Sequence, residues 1–96
     1  MNFSDALELI KKGELLSRTG LDCGWHNKEM FVFLVSGSQF KVNRAPLLGI
    51  FPEGTEINYN PHIDIKYHDG TIGIWTPSMN DLMAEDWIIH KGIGHY

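Results

Sequence analysis

The stretch that most constrains this 96-residue chain is Met30 to Val35, an unbroken apolar run. Read as a strand, it places Met30, Val32 and Leu34 on one face and Phe31, Phe33 and Val35 on the other, so both faces need cover. The periodicity elsewhere offers one clear helix, from Ser4 to Lys12, where Ala6, Leu7, Leu9 and Ile10 recur at helical spacing. One short helix covers one face. A chain of this size buries only roughly 60–65% of the surface that its unfolded form exposes, and the single cysteine, Cys23, rules out an internal disulfide and a cysteine-based zinc site. The second face is therefore expected to be covered by another copy of the chain.

The remaining pattern gives an α+β domain, a small antiparallel β-sheet with an N-terminal helix and a short C-terminal helical segment, assembling as a homo-oligomer. Ser4 or Asn2 is placed to cap the helix, and Gly13 to end it. Glu14 to Arg18 reads as a short strand. Ser36-Gly37-Ser38 reads as a turn returning the chain along Gln39 to Val42. Asn43 to Pro61 shows no clean period, but its Leu47, Leu48, Ile50 and Phe51 make it too apolar for disorder; it is expected to be ordered and pressed against something. His62 to Tyr67 alternates, with His62, Asp64 and Lys66 on a wet face. Asp69-Gly70 signals a hairpin into Thr71 to Trp75. Ser78 caps a helical segment from Met79 to Ala84, and Trp87 to His90 closes the sheet. The domain spans residues 1–90, and 91–96 form a frayed tail. A single compact domain of this length has a radius of gyration of about 13 Å.

Eight basic residues against twelve acidic give a formal charge of −4, which disfavours a nucleic-acid partner. No apolar run reaches the roughly 18 residues of a membrane span, and the N-terminus lacks the pattern of a signal peptide. The expected compartment is the cytosol.

Several residues could carry chemistry. Trp25, in a polar loop, and Trp75, at a strand end, offer indole faces on which a ring could stack for roughly 1–3 kcal/mol; core packing is the plainer reading, above all for Trp87. Asn43-Arg44 opens the long loop, where a guanidinium can grip a pyrophosphate. His62 and Asp64 share a strand face, with His68 further along, but a solvated face explains them without a metal. Asp81, Glu85 and Asp86 form an acidic cluster that could do acid-base work, although such residues are usually solvated. No nucleophile elbow, HExxH or phosphate loop is present, and the one GxG, Gly92-Ile93-Gly94, cannot open a helix. No catalytic residue, metal or cofactor is expected.

The order of the motifs is more informative than any one of them. Met1-Asn2-Phe3-Ser4-Asp5-Ala6-Leu7, Gly24-Trp25, Met30 to Val35, Val42-Asn43-Arg44-Ala45-Pro46-Leu47-Leu48-Gly49, Pro61-His62-Ile63-Asp64, Asp69-Gly70-Thr71, Trp75-Thr76-Pro77-Ser78 and Leu82-Met83-Ala84-Glu85-Asp86-Trp87 together resemble the phage Thoeris anti-defence proteins of the second type. The resemblance runs from about residue 1 to residue 90; Leu21-Asp22-Cys23 and the tail from Lys91 fall outside it. It implies a phage sponge that binds glycocyclic ADP-ribose, the signal made by TIR-domain enzymes of Thoeris defence, in the cytosol of the infected host and does not cleave it. It also implies a homotetramer with pockets between subunits, and cyclic dinucleotides as a second ligand class. On that reading Trp25 and Trp75 stack on rings, Asn43 and Arg44 meet phosphate, and His62, Asp64, Ser78 and Asp81 bond ribose or base edges. Two rival readings stay open: a nucleotide-degrading enzyme with Asp64, Asp81 or Glu85 as base, and a protein-protein interaction module anchored by its apolar loop and tryptophans.

Overall fold

A computed structural model of the chain describes residues 1–20, 24–25 and 29–91. Cys23 and the tail beyond Lys91 lie outside the described residues. The N-terminal helix α1 (Phe3–Lys11) starts on Asn2, whose side chain accepts the Asp5 amide at 2.9 Å. It ends at Gly13, which takes a positive φ of 96° that side-chain-bearing residues rarely adopt. Ala6 and Ile10, fully buried, mark the face turned to the sheet.

The sheet is antiparallel and five-stranded. Its strands are β1 (Leu16–Arg18), β2 (Phe31–Val35), β5 (His62–Lys66), β6 (Ile72–Ile74) and β7 (Trp87–Ile89). The spatial order β6-β5-β2-β1-β7 puts the apolar β2 at the centre. Val32, with Met30 and Leu34, joins Leu16, Ile65 and the helix face in one core, while Phe31, Phe33 and Val35 on the reverse face stay half-buried. Phe31 is covered there by the His90 ring at 4.8 Å and by Lys66. Phe33 lies opposite Asp64 in the β2–β5 register, so the face of His62, Asp64 and Lys66, expected to be wet, is half-buried against aromatic neighbours.

The β5–β6 hairpin turns at Asp69-Gly70 as expected. Gly70 has φ 90°, and Asp69 accepts both the amide and the hydroxyl of Thr71. Those hydrogen bonds stabilise the carboxylate and hold Asp69 below its ordinary pKa. Helix α2 (Met79–Met83) opens with a reciprocal cap: Ser78 Oγ accepts the Asp81 amide at 3.1 Å, and Asp81 Oδ2 accepts the Ser78 amide at 2.9 Å.

Two expectations need correction. The turn after Val35 does not return the chain along β2; β3 (Ser38–Lys41) pairs instead with β4 (Glu56–Tyr59) in a separate two-stranded sheet. The segment from Asn43 to Pro61, expected to be loop throughout, supplies that second strand and a 3-10 turn at Leu47–Gly49. β3 and β4 thus form an arm whose backbone approaches no other described strand or helix. The radius of gyration is 16.5 Å and the extents are 50 × 27 × 25 Å, against about 13 Å expected for a compact domain.

Candidate functional site

The tryptophans assemble first. Trp87 is fully buried, Trp25 is 7% exposed and Trp75 is 9% exposed. Their rings meet edge to face, with centroids 5.3 Å apart for Trp25–Trp87, 5.8 Å for Trp75–Trp87 and 6.2 Å for Trp25–Trp75, and Phe3 packs against Trp75 and Trp87. Tilted contacts of this kind suit the positive edge and negative face of aromatic rings. Trp25 has a packing role in the chain and does not line the cleft described next.

Trp75 does line it. An open cleft of about 440 Å³ runs between α1 and the sheet, bounded by Leu7, Lys11, Leu34, His62, Trp75 and Pro77 among others. Leu7 and Lys11 are one helical turn apart, so one side contributes apolar floor and the other a cation from the same face of α1. On the opposite side His62 borders the cleft where it heads β5, with its ring on the other face of the sheet beside Asp64. Its Nδ1 is 3.4 Å from the Asn60 carbonyl oxygen, its Nε2 is 3.2 Å from Asp64 Oδ1, and Tyr59 packs edge-on at 5.2 Å. The Asp64 contact is close enough for an ion pair with a protonated ring but does not have hydrogen-bond geometry, so the buried Oδ1 has no well-formed donor among the described residues. The cleft combines an apolar floor with one basic side chain, Lys11, a composition that can receive an anion carrying a ring.

Asn43 and Arg44 are elsewhere. Both line a second concavity of about 640 Å³ on the arm, bounded by the segment Phe40 to Leu47. Arg44 is exposed there.

Ser78 and Asp81 are committed internally. Besides the reciprocal cap, Asp81 Oδ1 accepts from Arg18 Nη1 at 3.0 Å, and the Asp81 carbonyl accepts the Trp87 indole N–H at 3.0 Å. Arg18 Nε also donates to Asp86 Oδ1 at 2.9 Å, and Asp86 Oδ2 accepts the Gly20 amide. Burial raises the Asp86 carboxyl, but the Arg18 guanidinium and the Gly20 amide outweigh it and hold Asp86 below its ordinary pKa. Asp81 and Asp86 of the acidic cluster therefore tie α2 and the start of β7 to β1. Among the described residues no group of three or more His, Cys, Asp or Glu side chains is placed to hold a metal ion, and no helix is long and apolar enough to cross a membrane.

Two contributors escaped the sequence reading. Lys11, in the last turn of α1, lines the cleft; its i, i+4 relation to Leu7 was the available signal. Arg18 anchors α2 through partners 63 and 68 residues away, a separation at which sequence gives no sign.

Fold and clefts together define a small α+β domain, a helix-covered antiparallel sheet carrying a hairpin arm. The family model of the Thoeris anti-defense 2-like domain matches residues 1–90, and the chain belongs to that family. It is 37% identical over 92 residues to Thoeris anti-defense 2 of Bacillus phage SP01, an alignment that covers 93% of each chain.

Proposed function

We propose that this chain is a phage anti-defence sponge that captures glycocyclic ADP-ribose, holds it intact and so silences Thoeris signalling in the infected cell. The observation that carries the reading is family membership across residues 1–90. The relative from Bacillus phage SP01 bears the name Thoeris anti-defense 2, and an anti-defence role follows for this chain on that likeness.

The cleft on α1 supports a binding role. Its volume falls in the range of about 300–1,000 Å³ usual for small-molecule sites. Lys11 supplies positive charge for a pyrophosphate, and Trp75 and Leu34 supply apolar surface for a base, while His62 is proposed to bond ribose or base edges. Trp75 is the stacking candidate, with Trp25 behind it as support. Asn43 and Arg44 meet phosphate from the arm, and a homotetramer with pockets between subunits would allow an arm to reach a cleft. Ser78 and Asp81 hold the start of α2 behind Pro77 through their reciprocal cap. Cyclic dinucleotides are the second ligand class proposed.

Titration calorimetry of the purified protein with glycocyclic ADP-ribose tests the reading. Saturable binding that weakens at least about tenfold in the Lys11→Ala variant is the expected result. Heat that never saturates, or that continues as turnover after every site is filled, contradicts it.

A further inference from the structure

We propose that His62 is a proton-operated latch: its imidazolium ties the base of the β3–β4 arm to the five-stranded sheet, and loss of the proton loosens the arm. The latch stands apart from the ligand reading above; only its consequence for capture, through Asn43 and Arg44 carried on the arm, rests on that reading.

The arm has little else to hold it. β3 and β4 approach no other described strand or helix, and a two-stranded hairpin alone is marginal at best in water. Its two ends come together at Gly37, where an added Cβ would lie 3.2 Å from Pro61 Cδ. The chain leaves β4 at Tyr59, passes Asn60 and Pro61, and enters β5 at His62. The His62 ring therefore stands where the arm joins the sheet.

Both of its nitrogens face oxygens that accept and do not donate. Nδ1 is 3.4 Å from the Asn60 carbonyl oxygen, on the arm side, and Nε2 is 3.2 Å from the Asp64 carboxylate, on the sheet side. A neutral imidazole carries one N–H. With that proton on Nδ1, the Nε2 lone pair faces a carboxylate; with it on Nε2, the Nδ1 lone pair faces a carbonyl. Only the imidazolium has a proton on each nitrogen, and its charge answers Asp64, whose buried Oδ1 has no hydrogen-bond donor among the described residues.

No other charge competes for the ring. Tyr59 of β4 packs edge-on at 5.2 Å. Val35 of β2 lies opposite His62, and Phe33 of β2 and Ile74 of β6 lie opposite Asp64. Lys66, further along β5, donates to the Glu29 carbonyl at 3.2 Å and stands over Phe31, on whose ring His90 also packs. Lys11 of α1 lines the cleft, on the other face of the sheet. The latch is thus complete in acid and is lost as pH rises through the titration of the ring, which for an unperturbed imidazole lies within about pH 5–8. A loosened arm loses more conformational freedom when it brings Asn43 and Arg44 to a ligand, so capture weakens on the alkaline side.

Hydrogen exchange of the ligand-free protein, with each rate divided by the intrinsic rate at that pH, reads the arm, while long-range proton–nitrogen NMR reads the His62 ring. Protection of arm amides, residues 38–59, should fall at least about fivefold between about pH 5.5 and about pH 8, with the midpoint at which the His62 ring loses its proton, while β1 and β2 amides stay constant. Asp64→Asn supplies an amide that can donate to a neutral Nε2, so arm protection in that variant should stay high throughout; His62→Phe has no proton to give, and its arm should be weakly protected at every pH. The parent profile decides the claim even where a variant folds poorly. A His62 ring that keeps one protonation state across the range, arm protection that stays constant while the ring titrates or follows another histidine, or a variant that keeps the parent's pH dependence would overturn the proposal. No ligand enters these measurements, so failure here is distinguishable from failure of ligand capture.

Discussion

Replacing Arg18 by Met keeps most of the aliphatic stem but removes the charge that holds α2 to β1. The Arg18 side chain is 12% exposed and bridges Asp81, 11% exposed, and Asp86, 25% exposed. Stranding one side of a buried ion pair costs about 3–5 kcal/mol; because Asp86 is partly solvated and both carboxylates keep an amide donor, about 2–4 kcal/mol is expected here. For a domain of this size that lowers Tm by roughly 10–30 °C. The pH dependence has a definite sign. Asp86 is held below 3.8 in the folded state, so its contribution is present above that value and disappears as pH falls through the folded-state pKa. Thermal melts of parent and Arg18→Met proteins should therefore differ strongly at neutral pH and converge in acid well below 3.8. A Tm loss under about 4 °C, or a gap that persists unchanged in acid, would refute this account of the network. The outcome also bears on Asp81 and Ser78, whose substitution should act on stability before it acts on ligand capture.

Trp87→Ala empties the centre of the aromatic cluster and leaves the Asp81 carbonyl without its indole donor; the loss of roughly 3–5 kcal/mol should abolish the near-UV circular dichroism of the folded chain or nearly so. Gly37→Ala would set a Cβ 2.7 Å from the Tyr59 carbonyl oxygen, forcing the base of the arm apart at a cost of about 1–3 kcal/mol, and hydrogen exchange should show it as faster arm exchange with β2 and β5 unaffected. Lys11→Glu, at an exposed position, should leave Tm within a few degrees and weaken glycocyclic ADP-ribose binding at least about tenfold.

Local signals in the sequence predicted local structure well. The i, i+4 apolar pattern with Ser4 or Asn2 as cap and Gly13 as stop marked α1, Asp69-Gly70 marked the β5–β6 turn, and Ser78 marked the cap of α2. What failed depends on pairing across distance. Glu56-Ile57-Asn58-Tyr59 alternates polar and apolar residues and could have been read as a strand, but the prolines and glycines around it hid that alternation. Nothing local says that β3 leaves β2 for β4, since either pairing satisfies the same turn. Three tryptophans widely spaced in sequence gave no hint that they meet in one cluster, so Trp25 and Trp75 read alike, whereas only Trp75 reaches the cleft. The site was half legible for the same reason: Trp75 was chosen for its chemistry and lines the cleft, His62 borders it with its ring turned to the other face, and Lys11 comes to it through the packing of α1 on the sheet.

The central claim is capture without turnover. The protein should be mixed with glycocyclic ADP-ribose, the protein-bound fraction separated by filtration, the protein heat-denatured and the released material identified by chromatography. The account predicts recovery of the intact ligand in near-stoichiometric amount; recovery of a new product, or ligand that passes the filter unbound and unchanged, would contradict it.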